Sequence, residues 1–238
     1  MEIKKLILLS WLLSLSWFVF GETITIGNGN TLHQGLPFEP LARFSYTQQI
    51  FLSTEIGQSG LISAVGFNYN VSSTSFYAGN KLLKVYLGHC MDATLSGWIP
   101  TSQMTLVYEG IIAQDWFDAG LPGSGWFMLP LQIPFEYDGN QNLILAVDEN
   151  TDASGNSSDD FFCRSLSTTR AINFQHMSTN PDPDNPPSTF TLKSYVCNLR
   201  LVINSASNPQ APSNLYGYHS SGANLMFWQA PASGNVNV

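Results

Sequence analysis

Charge is what this chain has least of. Only 11% of its 238 residues are charged, whereas 44% are hydrophobic and 13% aromatic. A real core can be buried, and the surface must be built mainly from Ser, Thr, Asn, Gln and Gly, a composition common in secreted β-proteins. Basic residues are the scarcest charges, nine Lys and Arg against seventeen Asp and Glu. A surface of that sign repels phosphate backbones, which argues against nucleic acid as a partner. Cysteine occurs three times, as Cys90, Cys163 and Cys197, and never in a Cys-x-x-Cys spacing, so structural zinc has no support. In an oxidising compartment one disulfide can form and one thiol is left over; the sequence does not say which.

Catalytic patterns are missing too. There is no His-Glu-x-x-His, no Gly-x-Ser-x-Gly and no P-loop, and the four histidines, His33, His89, His176 and His219, are isolated. "GNGNT" (Gly27 to Thr31) lacks the third glycine and the helix of a dinucleotide fingerprint. Asp148 and Glu149 are neighbours on a strand pattern, so they point to opposite faces and cannot work as a carboxylate pair. No enzyme activity is expected.

The one long apolar run is at the start. Lys4 and Lys5 precede Leu6 to Phe20, too short to span a bilayer comfortably and suited to a signal peptide. Val19 and Gly21 place small residues for cleavage after Gly21, so residues 1–21 are expected to leave; an uncleaved anchor is the alternative. Loss of Lys4, Lys5 and Glu2 leaves seven basic residues against sixteen acidic ones, a net charge of minus nine. No second span follows, so the mature chain is expected to be secreted or displayed at the cell surface, with no membrane span.

No helical repeat of three turns occurs beyond that run. Short Val-, Ile-, Phe- and Tyr-rich segments bounded by Gly, Pro, Asn or Ser dominate instead. They are Thr23 to Gly27, Tyr46 to Leu52, Leu61 to Asn70, Lys81 to His89, Met104 to Ile112, Gly125 to Leu131, Asn142 to Asn150, Ala171 to Met177 and Asn198 to Asn204. Alternation such as Leu199, Leu201 and Ile203 against Asn198, Arg200 and Val202 predicts antiparallel strands with one face buried. The fold expected over residues 22–205 is an all-β, jelly-roll-like antiparallel sandwich. Asp138-Gly139 between two apolar runs predicts a hairpin. The four prolines of Ser178 to Thr189 predict a surface loop. A Ser/Pro/Asn linker, 206–212, leads into a last segment, 213–238.

Three groups of residues are candidate sites. In "VDENTDASGNSSDD", Asp148, Asn150 and Asp152 alternate and Asp159 stands twelfth, the arrangement of oxygen ligands for calcium, although Ala153 replaces the glycine of an EF-hand. The other reading is a strand end whose side chains bond nearby backbone amides. Asp182 and Asp184, in a proline-stiffened loop, can hold calcium or a partner protein, or simply belong to a rigid connection. Trp98, Trp116 and Trp126 can form an aromatic platform for sugar rings, or fill the core.

Two resemblances add to this. "APSNLYGYHSSGANLMFWQAP" resembles the opening of a fibronectin type III domain, with Pro212, Leu215, Leu225, Trp228 and Pro231 at the matching positions. It covers two strands, which implies a domain continuing past residue 238. "GNGNTLHQGLPFEPLARFSYTQQIFLSTEIG", "KVYLGH", "LILAVDENT" and "TNPDPDNPP" resemble an adhesin-like domain of secreted Bacteroidetes surface proteins. The resemblance implies a non-catalytic adhesion or recognition module whose partner is a surface glycan or protein. The alternative is an accessory domain of a larger secreted hydrolase or peptidase.

Overall fold

The computed structural model describes residues 21–73, 76 and 81–204, together with the backbone of residues 213–220 and 223–229. The chain divides after Asn204. The first unit is an all-β sandwich of antiparallel sheets. Its strands are β1 (Glu22–Ile26), β2 (Phe44–Phe51), β3 (Gly60–Val71), β4 (Leu82–Cys90), β5 (Thr105–Ile111), β6 (Gly123–Tyr137) and β7 (Asn142–Glu149). After them come β8 (Asp160–Phe161), β9 (Cys163–Ser165), β10 (Ala171–His176), β11 (Thr191–Lys193), β12 (Tyr195–Cys197) and β13 (Leu199–Asn204). A short α-helix, α1 (Ser53–Ile56), follows β2, and single 3-10 turns occupy Thr101–Gln103 and Gln114–Trp116. One sheet runs β1-β13-β3-β6, with β8 beside β3; the other runs β11-β10-β2-β7-β4-β5; β9 and β12 form a separate pair. β1 lies antiparallel to β13, with Glu22 opposite Ile203 and Ile26 opposite Leu199.

Alternation puts the core between the two sheets. Val65, Phe67, Phe127, Leu129, Leu199 and Leu201 enter from one side, and Phe51, Val85, Leu87, Leu143, Leu145 and Val147 from the other. Phe161 is the hub of an aromatic group inside it. Its ring lies 4.8 Å from Phe38, 6.3 Å from Phe76 and 6.4 Å from Phe67, in edge-to-face contacts.

The six-stranded sheet has a second, smaller core on its outer face. Ile50, Cys90, Leu95, Ile144 and Ile172 cluster there, with Trp98, Ile99 and Met104 packed on them. β7 is therefore covered on both faces, which explains why its apolar run from Leu143 to Val147 hardly alternates.

The sequence-predicted strands are present with small shifts at their ends, and β6 is longer than expected. It begins at Gly123, includes Trp126, and carries Pro130 and Pro134 on an edge strand, where a missing donor is tolerated. The hairpin expected at Asp138-Gly139 is not there. The turn exists, with Gly139 at φ 74° and Asp138 Oδ1 accepting from Asn140 N (2.8 Å) and Gln141 N (2.9 Å). But β6 and β7 belong to different sheets, so the turn carries the chain across the sandwich.

Beyond the division, β14 (Ser213–Ser220) and β15 (Ala223–Gln229) pair antiparallel. The side chains of the fibronectin-like match, and residues 1–20 of the expected leader, lie outside the described residues. Among the described residues no helix is long and apolar enough to cross a membrane.

Candidate functional site

Two loops, residues 91–104 and 177–190, lie over the outer face of the six-stranded sheet. Period-two alternation sends Tyr46, Gln48 and Ile50 of β2 to that face. The carboxamide of Gln48 then acts like a strand partner for the first loop. Its Oε1 accepts from Ile99 N and its Nε2 donates to Ile99 O, both at 2.8 Å. Leu95 N donates to Thr169 O at 2.9 Å and anchors the other end.

Trp98 joins the two loops. Its indole stacks on Tyr46 with ring centres 4.8 Å apart, and Nε1 donates to Pro187 O at 2.9 Å. Phe190 meets it edge-on at 5.7 Å. Thr101 Oγ1 donates to Asp184 Oδ1 at 2.5 Å, a second link between the loops. Asp182 Oδ1 accepts from Asp184 N at 3.0 Å, so the proline-rich segment is held by an Asx turn.

The half-buried Trp98 lines a cleft of about 390 Å³ with Asp92, Thr94, Ser96 and Gln103. Phe190 lines another, about 380 Å³, with Asn173, Gln175, Thr189 and Lys193. The Trp98–Phe190 contact therefore stands between two polar clefts, each within the size range of small-ligand sites.

Asp148 sits on the same sheet face, opposite Tyr46 on β2 and Lys84 on β4. It is 1% exposed. Oδ2 accepts from Asn150 Nδ2 at 2.7 Å, while Oδ1 has no hydrogen-bond partner. Burial pushes this carboxyl up to about 6, with Asp182 and Glu109 adding repulsion and Lys84 opposing it. Tyr86, beside it on the sheet, is raised to about 12, by burial first and then by Asp148 and Asp184. Asp148, Asp182, Asp184, Tyr46 and Tyr86 thus share one negative neighbourhood. Glu149 points the other way, into the inner core, where Lys81 Nζ lies 3.3 Å from its Oε1.

The structure sorts the candidate residues into different places. Asp152 forms an ion pair with Arg43. Asp159 is buried and caps backbone, its Oδ1 accepting from Ser72 N (3.0 Å) and Ser73 N (3.1 Å). Asp148 bonds Asn150. Asp148 and Asn150 of the calcium spacing therefore stay together, whereas Asp152 and Asp159 are held by other partners, and among the described residues no group of three His, Cys, Asp or Glu is arranged for a metal. The three tryptophans do not gather either. Trp98 is on the outer face of the six-stranded sheet, Trp116 packs on Phe127 and Tyr108 at the core, and Trp126 lies under Arg200, 4.0 Å from its guanidinium carbon. What does come together is the loop that carries Trp98 with the loop that carries Asp182 and Asp184, through Trp98 to Pro187 O and Thr101 to Asp184. Sequence reasoning missed Tyr46, Gln48, Thr101 and Phe190. Alternation along β2 signals the first two, but nothing local ties them to loops about fifty and more than a hundred residues away.

No family model and no curated protein matches the chain. A solved structure of infectious bursal disease virus, Gx strain, is 13% identical and covers 91% of this chain, with a TM-score of 0.22. The match spans 45% of the viral chain, and a likeness that slight carries nothing about fold or activity.

Proposed function

We propose that this chain is a non-catalytic extracellular recognition module that binds a neutral surface glycan across the Trp98–Phe190 ridge. One observation carries the reading: a half-buried tryptophan, fixed on both sides, separates two polar clefts. Sugar rings present apolar faces that stack on aromatics, and hydroxyls that polar neighbours can bond. Trp98 is held by Tyr46 behind it and Pro187 O at its nitrogen, so little rotamer freedom is lost when a ring lands on it. Thr94, Ser96, Gln103 and Gln175 supply hydroxyl and amide partners on either side. Asp92 lines the Trp98 cleft and Lys193 the Phe190 cleft, so the two sides carry no common charge, which favours a neutral oligosaccharide across the ridge.

A glycan array probed with the labelled chain tests this. The expected result is binding to neutral oligosaccharides that falls at least about tenfold in Trp98→Ala and less in Trp126→Ala. Silence across the array, or a Trp98→Ala variant that binds like the parent, overturns it.

A further inference from the structure

Cys163 and Cys197 stand directly opposite each other on β9 and β12. At either end of this ladder the backbone hydrogen bonds fall on the alternate pairs that exclude the cysteines: Asn198 N donates to Phe162 O at 2.9 Å and Leu166 N to Ser194 O at 2.8 Å. Cys163 turns its own N–H and carbonyl away, to Thr31 O (2.8 Å) and Thr31 N (3.1 Å). Cys197 N donates to Gln49 Oε1 at 2.8 Å. The cysteines therefore form a non-hydrogen-bonded pair, the kind whose Cα atoms come to about 4.5 Å and whose side chains project together on one face. A disulfide accepts Cα separations from about 4.4 Å upward. Both side chains are fully buried in the main core, whereas Cys90 belongs to the small core on the far side of the six-stranded sheet. Both are thiols in this structure.

We propose that Cys163 and Cys197 are joined as a cross-strand disulfide, made during folding by exchange with a disulfide donor, with Cys90 left free. One cysteine thiolate attacks the donor's S–S bond and releases one donor thiol. The second thiolate attacks the protein sulfur of that mixed disulfide and releases the other. The two cysteines lose two protons and two electrons, and the donor leaves as two thiols. Closure has to precede packing. In the folded core the sulfurs are out of reach, and burial pushes both thiols well up, Cys197 to about 12, so the thiolate needed for attack is scarce. The bond fastens the chain where β8 leaves β3 to become β9, against the strand that continues from β12 into β13.

The test is to unfold and reduce the full chain, refold it with oxidised and reduced glutathione, alkylate it in denaturant and map the peptides by mass spectrometry. The expected result is alkyl groups on Cys90 alone and one linked peptide containing Cys163 and Cys197. The oxidised form should melt roughly 5–15 °C above the reduced form, a difference absent from the Cys163→Ala/Cys197→Ala double variant. Three alkylated cysteines, or a link that includes Cys90, overturns the assignment whatever the variants do.

Discussion

Replacing Asp148 with Asn should make this protein more stable at neutral pH, and by an amount that depends on pH. Asp148 is 1% exposed, and one of its carboxylate oxygens has no partner. Its folded pKa is raised from 3.8 to about 6. The native state therefore holds this proton more tightly than the unfolded chain does. The group's contribution to stability is full below pH 3.8 and is lost as pH rises through about 6. At about 1.36 kcal/mol per unit, the ionised form carries a penalty of roughly 3 kcal/mol at pH 8. In the Asp148→Asn variant the carboxamide oxygen can still accept from Asn150. Its NH₂ takes the place of the unpartnered oxygen and stays unpaired, which costs about 1 kcal/mol. The expected net gain is about 1–2 kcal/mol at pH 8, or roughly 2–8 °C in midpoint, shrinking to nothing near pH 4. Glu149 titrates in an overlapping range, but it is common to both proteins and cancels in the difference. Urea unfolding followed by tryptophan fluorescence at about pH 4, 6 and 8 measures it, provided the slopes match. A variant less stable than the parent at pH 8, or a gain that ignores pH, refutes the reasoning.

Other perturbations test other parts of the structure. Glu55 takes Arg170 (2.8 Å) and Arg164 (2.5 Å); burial pushes its carboxyl up, but those hydrogen bonds outweigh burial and hold it at about 2. Its stabilisation is present above pH 4.5 and lost as pH falls through about 2, so Glu55→Gln should cost about 2–3 kcal/mol at neutral pH and almost nothing in strong acid. Phe161→Ala should cost about 3–5 kcal/mol in denaturant unfolding, because it empties the centre of the aromatic group. With Asp152 and Asp159 held by partners outside the set, millimolar calcium should leave the thermal midpoint where chelator leaves it; a rise with concentration would show that the loop does gather on an ion.

Most of the sandwich could be read from the sequence because its longer strands each repeat the period-two pattern several times. Leu199, Leu201 and Ile203 needed no partner to reveal their shared face. β8, β9, β11 and β12 have two or three residues each, too few to show any period. The Asp138-Gly139 turn was visible, but a turn does not say whether the strands it joins stay in one sheet. The site was harder. Asp182 and Trp98 were each visible as residue types that bind things. Only the stack on Tyr46 and the bond from Thr101 to Asp184 make them neighbours, and both depend on tertiary packing. The alternating acids after β7 show the limit of spacing: a pattern suited to one ion also suits Arg43, which pairs with Asp152, and Ser72 and Ser73, which Asp159 caps.

The pairing of β1 with β13 has a mechanical consequence. Glu22 and Ile203 are opposite each other, so opposing pulls applied at these two residues act on adjacent strand ends. Opposing pulls there separate the two strands like a zip, breaking bonds one after another, whereas a shear arrangement would strain them all at once. Pulled at those two residues, this pair parts at lower force than it would if the same strands were loaded in shear.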